Sequence, residues 1–164
     1  MRTLRCLGLT SVLILLMMAP VFGQGPQTQV EKEVKDFLDA YARAYEKKDV
    51  ASIMAMIAPD PWVVFVETAS NGRYVGPEAI KKSYEAEFGQ FKSAETKYNW
   101  VSVRSKGDVA WFVAEEMSVV DLGDEKLDLP ARWSGVLEKR EGKWLLVQSH
   151  FSFSDLEPEE VKPR

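Results

Sequence analysis

Histidine and cysteine are almost missing from this chain: His150 and Cys6 are the only ones in 164 residues. The usual tetrahedral zinc sets therefore cannot be assembled, and a carboxylate-only calcium site has no motif to mark it. No metal is implied. Also absent are the G-x-S-x-G nucleophile turn, the Walker phosphate loop and the G-x-G-x-x-G dinucleotide fingerprint. Their absence argues against serine acyl transfer, nucleoside triphosphate chemistry and Rossmann-type cofactors, and no other cofactor is implied. The chain has no Asn-x-Ser/Thr acceptor, no internal repeat and no low-complexity tract.

Long apolar runs are confined to the first residues. Met1–Arg5 is short and basic, Cys6–Ala19 is nearly continuous apolar sequence, and Val21-Phe22-Gly23 ends in a small residue. That is the layout of a signal peptide over residues 1–23, cleaved near Gly23. The competing reading, a retained membrane anchor, is disfavoured because Pro20 breaks the run below the roughly 20 residues that a bilayer needs. The expected location is secreted or periplasmic, with no membrane contact after cleavage. Cleavage removes Arg2 and Arg5, so the formal charge of −4 becomes −6. An acidic surface argues against nucleic acid as partner. Cys6 leaves too, so the mature chain can form no disulfide and must rely on packing.

Residues 24–29 read as a polar linker, residues 30–154 as one domain, and residues 155–164, rich in Pro and Glu, as a flexible tail. Thr28 and Glu31 have capping-box spacing, and Val30, Val34, Phe37, Leu38, Tyr41 and Tyr45 share one helical face. Asp49 can cap a second, short helix that Pro59-Asp60-Pro61 stops. Trp62–Thr68 is β-branched and aromatic, hence a strand, and Gly76-Pro77-Glu78 opens a third helix. Three long strands follow, roughly Thr96–Ser105, Val109–Leu122 and Leu127–Lys139, with Trp144–Ser154 as their partner. The fold class is therefore α+β, with helices on one face of a curved antiparallel sheet.

Tyr41-x3-Tyr45-x3-Asp49, Ala58-Pro59-Asp60, the Gly76–Ile80 helix start and Glu141-Gly-Lys-Trp144 together resemble the nuclear-transport-factor-2-like superfamily. The SnoaL-like and ketosteroid-isomerase-like branches look closest. Gly142–Ser152 is also similar to the association domain of calmodulin-dependent kinase. The resemblance spans Val30–Ser154. It implies a cone, with three N-terminal helices packed in a strongly curved antiparallel sheet and a cavity at the open end. A small-molecule ligand and a homodimer are the implied partners. In ketosteroid-isomerase-like members a first-helix tyrosine, a first-strand carboxylate and an acid on the penultimate strand do the chemistry. Tyr41 and Glu67 match the first two. Ser134 stands where the acid would be needed, which argues against steroid-type isomerisation.

The residues themselves allow the following readings. Glu67 ends an apolar strand, and alternation sets it beside Phe65. In apolar surroundings its pKa would rise and it could act as a general base; otherwise it is a strand-end glutamate facing water. Tyr41 is either a ligand-facing hydroxyl or an ordinary core tyrosine. On the fourth strand Val109, Trp111, Val113, Glu115 and Met117 form an apolar face with one carboxylate, which Arg132 on the next strand could pair. If Glu116 faces inward instead, Glu115 is ordinary surface. Trp111 is the tryptophan expected in the cavity. On the last strand Val147, Ser149, Phe151 and Phe153 are expected inside. His150 then shares the convex face with Trp144, Leu146 and Gln148, as an interface rather than a catalytic residue.

Overall fold

The computed structural model describes residues 26–68 and 72–154. The expected signal peptide (residues 1–23) and tail (residues 155–164) lie outside the described residues. Helix α1 runs Pro26–Glu46. Proline suits a helix start because the N–H it lacks would have no partner there. Residues 26–29 are thus helical rather than linker, and the Thr28–Glu31 pair lies within the helix. The stripe Val34, Phe37, Leu38 and Tyr41 is buried, as its spacing requires.

The end of α1 is unusual. Lys48 has a φ of 55°, and its N–H and that of Asp49 bond back to Tyr45 O and Ala44 O, both at 2.9 Å. This is the pattern that normally ends in glycine, and a lysine there costs roughly 1–2 kcal/mol. Its side chain accounts for the choice. Nζ donates to Phe88 O at 3.0 Å and also to Phe91 O, and lies 4.5 Å from the Phe91 ring centroid. Asp49 then caps α2 (Val50–Met54) by accepting from Ser52 N at 3.0 Å.

Two short strands follow, β1 (Val64–Val66) and β2 (Arg73–Val75), before α3 (Pro77–Glu87). The helices are therefore not all N-terminal to the sheet. Lys48 ties α1 to the carbonyls just beyond the end of α3, where a cation is favoured. The long strands are β3 (Ser93–Lys106), β4 (Val109–Asp121), β5 (Lys126–Arg140) and β6 (Lys143–Phe153), joined as antiparallel neighbours. Glu141 (φ 50°) and Gly142 (φ 79°) form the left-handed two-residue turn between the last two.

The sheet has six strands in the order β2-β1-β6-β5-β4-β3, curved but not closed. It is mixed rather than wholly antiparallel. Val64–Val66 of β1 runs parallel to Gln148–His150 of β6. The chain between them, α3 and the meander, supplies the long crossover that a parallel pair needs. The register shifts at two bulges, leaving Asn99 opposite no residue of β4 and Val147 opposite none of β5. Each reverses the in–out alternation. On β3, Tyr98 faces inward before the bulge and Val103 after it; on β6, Trp144 and Leu146 face inward before it, and Ser149 after it. Trp144 and Leu146 thus belong to the core, not to the face of His150, which is exposed.

One end of the concave face is filled by Ile53, Val103, Phe112, Leu137 and Leu146, all nearly inaccessible. Gly135 allows this packing: a Cβ there would come within 2.7 Å of Phe112 Cε1 and 2.9 Å of Leu146 Cδ1. The other end is left open.

Candidate functional site

At that open end α1, α3 and the concave face of the sheet enclose a cavity of about 420 Å³. This is ample for a small organic ligand. On the sheet side the rim is apolar, built from Leu122, Leu127, Leu129 and Phe153. Further in, the walls are aromatic. Trp133 packs against Tyr41, with ring centroids 4.7 Å apart, and against Tyr98 at 6.4 Å. Its indole N–H donates to Ser149 Oγ at 2.8 Å, so Ser149 is buried but satisfied.

Three carboxylates line this cavity: Glu67 just past β1, Glu87 at the end of α3 and Glu116 on β4. Among the described residues no donor bonds the Glu67 side chain. Burial, and secondarily the negative Glu87 and Glu116, push its pKa up to about 8. Glu116 is 6% exposed, and its pKa is pushed up to about 7 by burial, against a weak lowering by Ser118. Ser118 Oγ lies 3.4 Å from Glu116 Oε1 and 3.0 Å from Thr96 Oγ1. Glu87 sits at the solvent-open mouth. Partial burial raises its pKa, opposed by the hydrogen bond that it accepts from Tyr45 Oη at 2.5 Å.

Tyr41 and Tyr84 share a hydroxyl–hydroxyl hydrogen bond across α1 and α3. Burial raises both phenols above their ordinary range, so both stay protonated at neutral pH. Two hydroxyls hold two protons and their mutual bond uses one, which leaves one to donate to a ligand oxygen. The arrangement therefore joins a carboxyl that titrates near neutrality to a neutral hydrogen-bond donor in one cavity. Those are the parts of a cofactor-free proton transfer.

Of the residues singled out from sequence, Tyr41, Glu67, Ser149, Phe151 and Phe153 line this cavity. Phe65 is on Glu67's face as expected, but at 1% exposed it belongs to the core. Val147, the bulge residue, is core as well. The β4 expectation is reversed: Ala110, Phe112, Ala114, Glu116 and Ser118 face inward. Trp111, Glu115 and Met117 lie on the outer face, with Glu115 and Arg132 opposite each other there in register. The inner stripe includes the two buried alanines Ala110 and Ala114 and is less apolar than the outer one. Ser134 and Arg132 likewise alternate away from the inward Trp133, which is the tryptophan actually in the cavity. Sequence reasoning missed Glu87 and named Glu116 only as an alternative. Glu87 lies three residues after Tyr84 and seven after Ile80, on an otherwise apolar helical stripe, and that was the available signal.

Among the described residues no three His, Cys, Asp or Glu side chains converge to hold a metal, and no helix is long and apolar enough to cross a membrane. The fold itself recurs in solved structures. A protein assigned as a dehydratase of the NTF2-like family from Streptomyces avermitilis matches with a TM-score of 0.71 at 19% identity, over 78% of this chain and 97% of that one. An NTF2-like superfamily protein from Salmonella enterica matches at 0.71 and 18% identity, over 81% and 97%. Both likenesses show the fold alone. A protein from Xanthomonas campestris assigned as a calcium/calmodulin-dependent protein kinase II association domain reaches 28% identity with a TM-score of 0.67, over 78% and 88%. No curated protein matches the sequence. The SnoaL-like domain family model matches residues 34–155, which takes in α1 from Val34 through the last strand and thus the whole cavity, and the chain belongs to the SnoaL-like family.

Proposed function

We propose that the domain binds a small, partly apolar molecule in this cavity and moves a proton on it without a cofactor. Glu67 is the general base, and the Tyr41–Tyr84 pair donates to the oxygen on which negative charge develops. The observation that carries this reading is the Glu67 carboxyl, with no donor bonded to it among the described residues, in the same cavity as that hydroxyl pair. Isomerisation, cyclisation and dehydration next to a carbonyl can each begin with such a step. The test is deuterium uptake. Any molecule that co-purifies, identified by native mass spectrometry, should exchange a carbon-bound hydrogen in D2O with the protein and not with Glu67→Gln. A bound molecule that does not exchange identifies a ligand trap instead of an enzyme.

A second reading is favoured by the outer sheet face, where Trp100 of β3 and Val109, Trp111 and Val113 of β4 are exposed together. Such a stripe suits self-association, and the Xanthomonas relative's assignment as an association domain agrees with it. The same native mass spectrum reads the oligomer, and a monomer would end this reading. Export through residues 1–23 completes the proposal, resting on their basic start and apolar run. N-terminal sequencing of protein from the cell envelope should begin near residue 24.

A further inference from the structure

Among the described residues the cavity holds charge of one sign only: Glu67, Glu87 and Glu116 line it, and no lysine, arginine or histidine does. Lys48, beside the cavity-lining Phe91, is committed to two backbone carbonyls. Glu116 is the telling member. It is 94% buried by its 6% exposure, its only bond among the described residues is the long one from Ser118, and it lines the cavity. A buried carboxylate so poorly partnered is costly unless something supplies a donor or a positive charge. The rings of Tyr41, Tyr98 and Trp133 surround the same space, and aromatic walls add attraction for a cation. The three carboxylates are too dispersed to chelate a metal ion. They are spaced along the cavity from the exposed mouth to the buried interior, as an extended organic cation would use them.

From this geometry we infer that the ligand is a small organic ammonium: an amine with an apolar, preferably aromatic, body that lies against Trp133 while its charged nitrogen meets Glu116 and Glu67. This rests on the reading of the cavity as a binding site and not on the proton-transfer step. Occupation by an ammonium would also hold both carboxyls in their charged form, where burial alone favours the neutral one. Affinity should therefore rise with pH as they ionise. The groups that face them are Tyr41 and Tyr45 from α1, Tyr74 from β2, Tyr84 and Glu87 from α3 and Tyr98 from β3, none of them cationic.

A matched series tests it. Benzylammonium, benzyl alcohol and benzoate are titrated into the purified protein, read by calorimetry and by the change in tryptophan fluorescence that is lost in Trp133→Phe. Benzylammonium should bind at least roughly tenfold more tightly than either of the others, and more tightly at pH 8 than at pH 6. Glu116→Gln should lose most of that preference while still binding benzyl alcohol; if this variant fails to fold, Glu67→Gln makes the same test. Equal or tighter binding of benzyl alcohol or benzoate overturns the ammonium assignment and leaves the binding cavity standing. Failure of all three to bind overturns both.

Discussion

Tyr41 and Tyr84, on different helices, meet hydroxyl to hydroxyl in the wall of the cavity, and each is otherwise enclosed by aromatic rings. The bond joins α1 to α3 at the place where a ligand would lie. It therefore has a structural and a chemical consequence, and the two are separable.

Removing one hydroxyl strands the other. Tyr41→Phe or Tyr84→Phe should each destabilise the domain by about 1–2 kcal/mol. The double variant should cost less than the sum of the two, since neither hydroxyl then remains unpaired. Urea unfolding of the four proteins closes that cycle. Additive losses would mean that the two hydroxyls do not depend on each other.

Stability should peak on the acid side of neutrality. Glu67 and Glu116 bind protons more tightly in the folded domain, at about 8 and about 7, than an ordinary glutamate does at 4.5. Groups raised in this way stabilise fully below 4.5 and progressively less as pH climbs toward 8. On the other side, hydrogen bonds from Lys139, Gln29 and Trp144 hold Glu33 down at about 2. Its contribution is present above 4.5 and is lost as pH falls toward 2. The thermal midpoint of the unliganded protein should fall by roughly 5–10 °C between pH 5 and 8.5. Calorimetry of Glu116→Gln should show a flatter slope.

Lys48 offers a cleaner test of packing. Lys48→Ala keeps the left-handed backbone and removes the bonds to Phe88 O and Phe91 O. A loss of about 1–2 kcal/mol is expected. Lys48→Gly relieves the backbone and should recover part of it. An unchanged denaturation midpoint for Lys48→Ala would show that the tie between α1 and α3 contributes nothing.

Gly135→Ala should be disruptive, because the new methyl meets the Phe112 ring at 2.7 Å and Leu146 at 2.9 Å. Overpacking of this kind costs about 1–3 kcal/mol. Phe112→Leu in the same chain should restore some of the loss, as thermal melts would show.

The signals that proved readable in the chain were local ones. Gly76-Pro77 starts α3, Asp49 caps α2, and Glu141-Gly142 makes the last hairpin, because each acts through its own backbone. What depended on long-range packing was less legible. Simple alternation fails at Asn99 and Val147, where a bulge inserts one residue and reverses the faces, and nothing in either residue type announces it. On β4 the more apolar stripe, Val109 to Met117, is the outer one, so counting hydrophobic residues selects the wrong face. That error put Glu115 where Glu116 belongs. Glu67 and Tyr41 were reachable because a family resemblance supplied their positions, whereas Glu87 needed the packing of α3.

The ionisation of Glu67 is the point on which the functional account turns. Carboxyl carbon NMR of protein labelled in glutamate follows it directly from pH 3 to 10, with Glu67→Gln and Glu116→Gln to assign the signals. Glu67 and Glu116 interact, so the account predicts two coupled steps between about pH 6 and 9, the higher one lost in Glu67→Gln. A Glu67 signal that completes its titration near 4.5 would contradict it, because that carboxylate would face water and could not serve as the base of a buried site.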